Sequence, residues 1–241
     1  MSTPSGPRSA ATVILLRSGE ADGLEVFLTR RPDRMDVLGG AYVFPGGTLT
    51  KDDLSERSLK RCAGLSRQQA QKLLGAHLKP ALALGYWVAA IRELFEEVGV
   101  LLAATESGEP LMLRDHRRKD ALLQKRAGLI DGRLAFHELL ESEELYCDVK
   151  RLVYFSHWQT PAEFSARFDT RFFVATLPPD QVPLETSEEV AHGLWATPER
   201  AMQLYAQQKL PMIFPTYACL RTLADFDSVE SLLAEYAKAP L

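Results

Sequence analysis

The segment that most constrains this chain is residues 87–103, WVAAIRELFEEVGVLLA, whose apolar positions recur with helical spacing up to Gly99. On a helix, Glu93, Glu96 and Glu97 fall at i, i+3 and i+4, so three carboxylates share one face. Ala89, Ala90, Ile91, Leu94 and Val98 flank them with apolar side chains, which predicts a helix packed into the protein. Carboxylates crowded on a packed helix repel one another and call for a cation, and hard oxygen ligands suit Mg²⁺ or Mn²⁺. The alternative is a solvated acidic face on a surface helix.

The rest of the chain mixes strands and helices without regular βαβ alternation, which points to an α+β (mixed α/β) fold. Residues 11–17 and 24–30 are apolar and read as a strand hairpin, and 41–47 as a short strand ended by Pro45 and two glycines. Residues 54–84 turn helical and polar, with Ser66 and Gln69 forming a capping-box signature. Two further helical stretches are expected near 115–127 and 135–146. RLVYFSHWQTP and TRFFVATLP read as strands, and Phe172, Phe173 and Trp158 as core. Thr197-Pro198-Glu199 carries the chemistry of a helix start. Residues 216–241 close the chain as helices, broken near Asp225 to Ser228.

A chain of 241 residues can bury a sizeable core, and one domain with insertions is expected over 1–241, with 1–10 a flexible tail. Hydrophobic residues make up 46% and charged ones 25%, ordinary for a soluble protein. The net charge of −4 argues against a DNA-binding surface built on phosphate attraction. It leaves room for a small polyanion held by metal. Cys62, Cys147 and Cys219 are widely spaced and odd in number, and read as buried free thiols in a reducing compartment. No apolar run is long enough for a membrane span. The polar start MSTPSGPRSA and the ending Ala239-Pro240-Leu241 carry no targeting signal, so a cytoplasmic location is expected. The basic run from Arg114 to Lys119 reads as a solvated helix face, and the five histidines as structural.

Residues 92–100, Arg-Glu-Leu-Phe-Glu-Glu-Val-Gly-Val, resemble the second half of the Nudix box, R-E-U-x-E-E-x-G-U with U aliphatic, at every fixed position. Gly47 followed six positions later by Asp53 fits the first half, with Asp in place of the usual Glu. The family pattern places seven residues between that acid and the arginine; here residues 54–91 intervene, an insertion of 38 − 7 = 31. The chain resembles the coenzyme A diphosphatase-like branch that carries a long insertion inside the box. Leu28-Thr29-Arg30-Arg31 and Gly40 to Gly47 are similar to its L-T-x-R … G-x-x-x-F-P-G-G signature, although that signature's second arginine falls on Asp36, with Arg34 nearby. Trp158 to Pro161, Arg167 to Phe173, Glu189 to Trp195 and Pro211 to Pro215 are also similar.

The resemblance implies an α/β/α sandwich with a mixed sheet and helical insertions. It implies metal-assisted attack of water on a diphosphate in a small-molecule nucleotide substrate: coenzyme A or an acyl derivative, cut to 3′,5′-ADP and a phosphopantetheine. A nucleoside diphosphate sugar, a dinucleotide or capped RNA is the alternative substrate, and a non-catalytic ligand sensor the alternative function. Glu93, Glu96 and Glu97 would coordinate Mg²⁺ or Mn²⁺, joined by a backbone carbonyl at Gly46 or Gly47, where glycine admits close approach. Arg92 would orient a glutamate. Glu96 and Glu189 are candidate catalytic residues, Glu189 as a further ligand or as general base, with Glu188 second to it, and either of that pair is otherwise a solvated acid. Arg31, Arg34 and Phe44 would meet the substrate. A homodimer is compatible with the family.

Overall fold

The computed structural model describes residues 6–19, 23–35 and 37–237. Strands β1 (Arg8–Ser18) and β2 (Leu24–Arg30) pair antiparallel as the expected hairpin, with Leu16 opposite Val26. Both faces of β1 are buried: Val13 and Leu15 point into one core, Ile14 and Leu16 into the other. A strand buried on both faces reads as a continuous apolar run rather than an alternation, and ATVILLR does. The strand starts earlier than its apolar run, because Arg8, Ser9 and Ala10 pair in parallel with Phe168, Asp169 and Thr170. Residues 8–10 are therefore strand rather than tail, while residues 1–5 of the expected tail lie outside the described residues.

Two short strands follow, β3 (Tyr42–Val43) on β2 and β4 (Gly46–Thr48) on β1. Chain pairing thus continues through the two glycines instead of ending at them. After a 3₁₀ turn at Asp52–Leu54 come α1 (Glu56–Lys60), β5 (Cys62–Ala63) and α2 (Arg67–Leu74). The Ser66–Gln69 capping box is present, the Gln69 amide donating to Ser66 Oγ at 3.2 Å and Ser66 N–H to Gln69 Oε1 at 2.8 Å. Helix α3 (Pro80–Val98) begins inside the expected 54–84 excursion, with Pro80 in its first turn, and ends at Gly99 in the left-handed conformation (φ 72°).

The second half adds β6 (Ala103–Ala104), α4 (His116–Ile130), α5 (Phe136–Ser142), β7 (Tyr146–Asp148), β8 (Val153–Gln159), β9 (Phe168–Thr176) and β10 (His192–Ala196). Helices α6 (Pro198–Ala206), α7 (Phe214–Leu223) and α8 (Val229–Tyr236) close the chain. The main sheet runs β10-β2-β1-β9-β8, with β1 and β9 parallel and the other neighbours on this path antiparallel. Helices α2 to α5 contribute to the core on one face, and α6, α7 and α8 to the core on the other. The mixed sheet sandwiched between helices matches the expected class. A small sheet, β5-β7-β6, ties the box insertion to the second half: Cys62 lies opposite Cys147. Cys62 is only half-buried, against expectation, whereas Cys147 and Cys219 are buried. Among the described residues no helix is long and apolar enough to cross a membrane.

Candidate active site

Helix α3 packs against β1 and β4, so its acidic face meets the backbone of the Gly46–Gly47 strand. A Cβ built on Gly47 would stand 2.6 Å from the Glu93 carboxyl, a contact no side chain could occupy without displacing it. Gly46 N–H donates to Glu97 Oε2 at 3.1 Å. Two of the three box glutamates thus lie against the main chain that sequence reasoning placed beside them.

Arg92 organises the cluster. Its Nε and Nη2 donate to the two carboxylate oxygens of Asp53, both at 2.9 Å, and Nη2 also reaches the Thr48 carbonyl at 3.0 Å. Nη1 donates to Glu96 Oε2 at 2.7 Å and lies 2.9 Å from Glu93 Oε1. The Asp53 side chain is fully buried and also accepts from the amide and hydroxyl of Thr50, at 2.7 and 3.0 Å. Asp53, the acid ahead of the long insertion, is therefore paired with the box arginine, and the insertion loops out between two partners in contact.

Burial dominates the charge state of the glutamates. It pushes the Glu93 carboxyl up to about 7, against the opposing pull of Arg92. Burial also raises Glu97 strongly, with the charges of Glu93 and Glu189 adding to it, while Gly46 N–H and Arg31 pull the other way. Glu96 is raised by burial, partly offset by Arg92. Among the described residues no three acidic, histidine or cysteine side chains already converge as a closed cation site. The donor set nonetheless suits a hard divalent ion: carboxylate oxygens, crowded and desolvated, beside a backbone that no side chain screens.

These shifts fix a pH dependence. A carboxyl whose folded pKa is raised keeps its proton between its ordinary value of 4.5 and about 7, where the unfolded chain has lost it. In metal-free buffer the denaturation midpoint should therefore fall as pH rises through that window. A midpoint that climbs over the same interval in urea titrations would contradict the buried, protonated glutamate.

Glu189 is exposed, yet close enough that its charge raises both Glu96 and Glu97. Glu188 is 67% exposed and lies 3.9 Å from Arg126. Arg31 is half-buried, donates to the Val37 carbonyl at 3.2 Å, and favours the charged form of Glu97. Arg34 is exposed and donates to the Glu188 carbonyl at 3.2 Å. Phe44 is a correction: it is 3% exposed and packs in the core beneath the sheet with Val26 and Leu28, leaving no face for a substrate. Asp36 lies outside the described residues. Sequence reasoning missed Arg126, a buried arginine whose Nε donates to the Phe95 carbonyl at 3.0 Å. It lies in the stretch expected to be helical near 115–127, beyond the Arg114–Lys119 run read as a solvated face.

The chain is 25% identical over 237 residues to a Xenopus laevis protein named acyl-coenzyme A diphosphatase NUDT19, covering 86% of this chain and 62% of that protein. A Gallus gallus protein of the same name is 28% identical over 242 residues, covering 86% and 63%. The chain thus spans under two thirds of the length of either. The crystal structure of a NUDIX hydrolase from Alicyclobacillus acidocaldarius superposes with a TM-score of 0.78 at 26% identity, over 96% of this chain and 97% of that one. The family model described as the NUDT19 Nudix domain matches residues 7–223. The sandwich is a Nudix fold, and the chain belongs to the NUDT19 Nudix domain family.

Proposed function

We propose that this chain hydrolyses the diphosphate bond of coenzyme A or an acyl-coenzyme A, giving 3′,5′-ADP and the corresponding phosphopantetheine. The observation that carries the reading is the acidic face of α3, where Arg92 holds Glu93 and Glu96 and the Gly46 amide holds the buried Glu97, beside the bare backbone of Gly46 and Gly47. The name that two relatives carry, acyl-coenzyme A diphosphatase, supports the choice of substrate.

Glu93, Glu96 and Glu97, with a carbonyl at Gly46 or Gly47, would hold Mg²⁺ or Mn²⁺. The bound ion would neutralise the diphosphate and acidify the attacking water. Arg92 does not reach for substrate: its donors are spent on Asp53, Thr48, Glu96 and Glu93, so it fixes the carboxylates in place. Glu189, with Glu188 as the second candidate, takes the proton of the attacking water as the oxygen bonds to phosphorus and the bridging oxygen leaves. Arg31 remains the candidate cation for the substrate's 3′-phosphate, since a charge-assisted arginine–phosphate contact is strong and directional. Arg34 is less available, being engaged with the Glu188 carbonyl.

The test is a comparison of kcat/KM for coenzyme A, its 3′-dephospho form and a panel of nucleoside diphosphate sugars and dinucleotides, with Mg²⁺ and Mn²⁺. Coenzyme A should be cleaved more efficiently than the 3′-dephospho form, and Arg31→Ala should shrink that preference. Equal values in the wild type would sink the coenzyme A assignment and leave diphosphate hydrolysis standing. Absence of hydrolysis across the panel would sink both.

A further inference from the structure

We propose that Arg126 is a positioning residue: from α4, outside the Nudix box, it clamps the acidic loop of residues 184–190 onto the C-terminal end of α3. The inference rests on the reading that Glu188 or Glu189 serves the site, and it assigns the device that places them.

The geometry is convergent. Arg126 is 8% exposed, and its guanidinium spans the end of α3, Nε donating to the Phe95 carbonyl at 3.0 Å and Nη2 to the Glu97 carbonyl at 3.4 Å. The same Nη2 lies 3.9 Å from Glu188 Oε2 on the loop. Ser187 Oγ of that loop donates to the same Glu97 carbonyl at 2.9 Å, and Leu184 N–H to the Val98 carbonyl at 2.8 Å. The loop therefore docks on the last carbonyls of the helix, and the arginine is a charged group that reaches both parts. Glu97 is held from two directions, its carbonyl by Arg126 and Ser187 and its carboxylate by Gly46.

Elementary electrostatics explains why a cation belongs there. The C-terminal end of a helix carries partial negative charge on its unpaired carbonyls. Here that end also bears Glu96 and Glu97, and the loop brings Glu188 and Glu189 towards it. Without a cation the loop would be repelled from the surface it must sit on. Arg126 feels this company directly: burial disfavours its charge, while Glu188, Glu96 and Glu189 favour it. A guanidinium keeps its proton under such burial and can serve several acceptors in one plane, which an ammonium cannot.

The test combines hydrogen exchange with a double-mutant cycle. In Arg126→Met, verified as folded by circular dichroism, exchange of the amides in residues 184–190 should rise about tenfold or more. Arg126→Lys should lie between that and the wild type. With coenzyme A and Mn²⁺, Arg126→Met should lower kcat by a factor similar to Glu189→Gln, with KM changed less than about twofold. Because one substitution removes the carboxylate and the other removes the group that places it, the double variant should stay within about threefold of the lower single variant. Unchanged exchange in folded Arg126→Met overturns the clamp, and so do losses that simply multiply. If Arg126→Met fails to fold, wild-type exchange in Arg126→Lys overturns it instead. The exchange measurement needs no substrate, so inability of the wild type to cleave coenzyme A would defeat the functional reading and leave the clamp standing.

Discussion

Glu97→Gln should lower turnover by on the order of 10²-fold or more while leaving the fold intact, because it removes one charge and almost no volume. Glu97 is 4% exposed, and its Oε2 accepts the Gly46 amide at 3.1 Å. A glutamine carbonyl can accept the same bond, so the link between α3 and β4 survives. What is lost is negative charge in a desolvated place, where a divalent ion or a developing charge on phosphorus would feel it most. Loss of that charge also relieves repulsion from Glu93 and Glu189, two of the causes that push Glu97 upward. Metal-free stability should therefore hold or rise as turnover falls. That combination separates a functional carboxylate from a structural one, and it is read from kcat and from a thermal melt of the same preparation. A folded variant with unchanged turnover would remove the trio from the chemistry.

Much of this was legible in the sequence because the physics was local. Helix α3 announced itself by period, and its start at Pro80 rather than near 87 follows from Pro80 at the first turn, a position that favours helix initiation. The capping box at Ser66 and the cap at Thr197 depend on residues three apart, so they could be read directly. The box acid was harder. Asp53 could be matched to a pattern, but only the fold brings it back to an arginine 39 residues away. Strands of two or three residues, such as β5, β6 and β7, carry no measurable alternation; they are defined by their pairing with one another across distant parts of the chain. Phe44 was misassigned because a signature position says nothing about which side of a sheet a ring will face. Arg126 was unreadable for a related reason: its acceptors are the carbonyls of a helix distant in sequence, and main-chain acceptors leave no trace in residue identity.

Arg92→Met should be the most destabilising single change at the site, by about 3–5 kcal/mol. Its side chain is 8% exposed, and it is the cation that faces the fully buried Asp53. Substitution leaves the buried Asp53 without its cation, withdraws the counter-charge from Glu93 and Glu96, and strips a donor from the Thr48 carbonyl. Urea unfolding near pH 7 measures the loss, and a cost below about 1 kcal/mol would mean that the Arg92–Asp53 pair does not hold the two halves of the box together across the insertion. The double variant Arg92→Met, Asp53→Leu decides what the pair is for. Replacing a buried ion pair by apolar groups is often neutral for stability, so most of the lost free energy should return. Turnover should not return with it, because Glu93 and Glu96 still lack the guanidinium that holds them 2.9 and 2.7 Å from its Nη1. If turnover recovers alongside stability, the arginine holds only the fold; if stability alone recovers, its role is to aim the carboxylates.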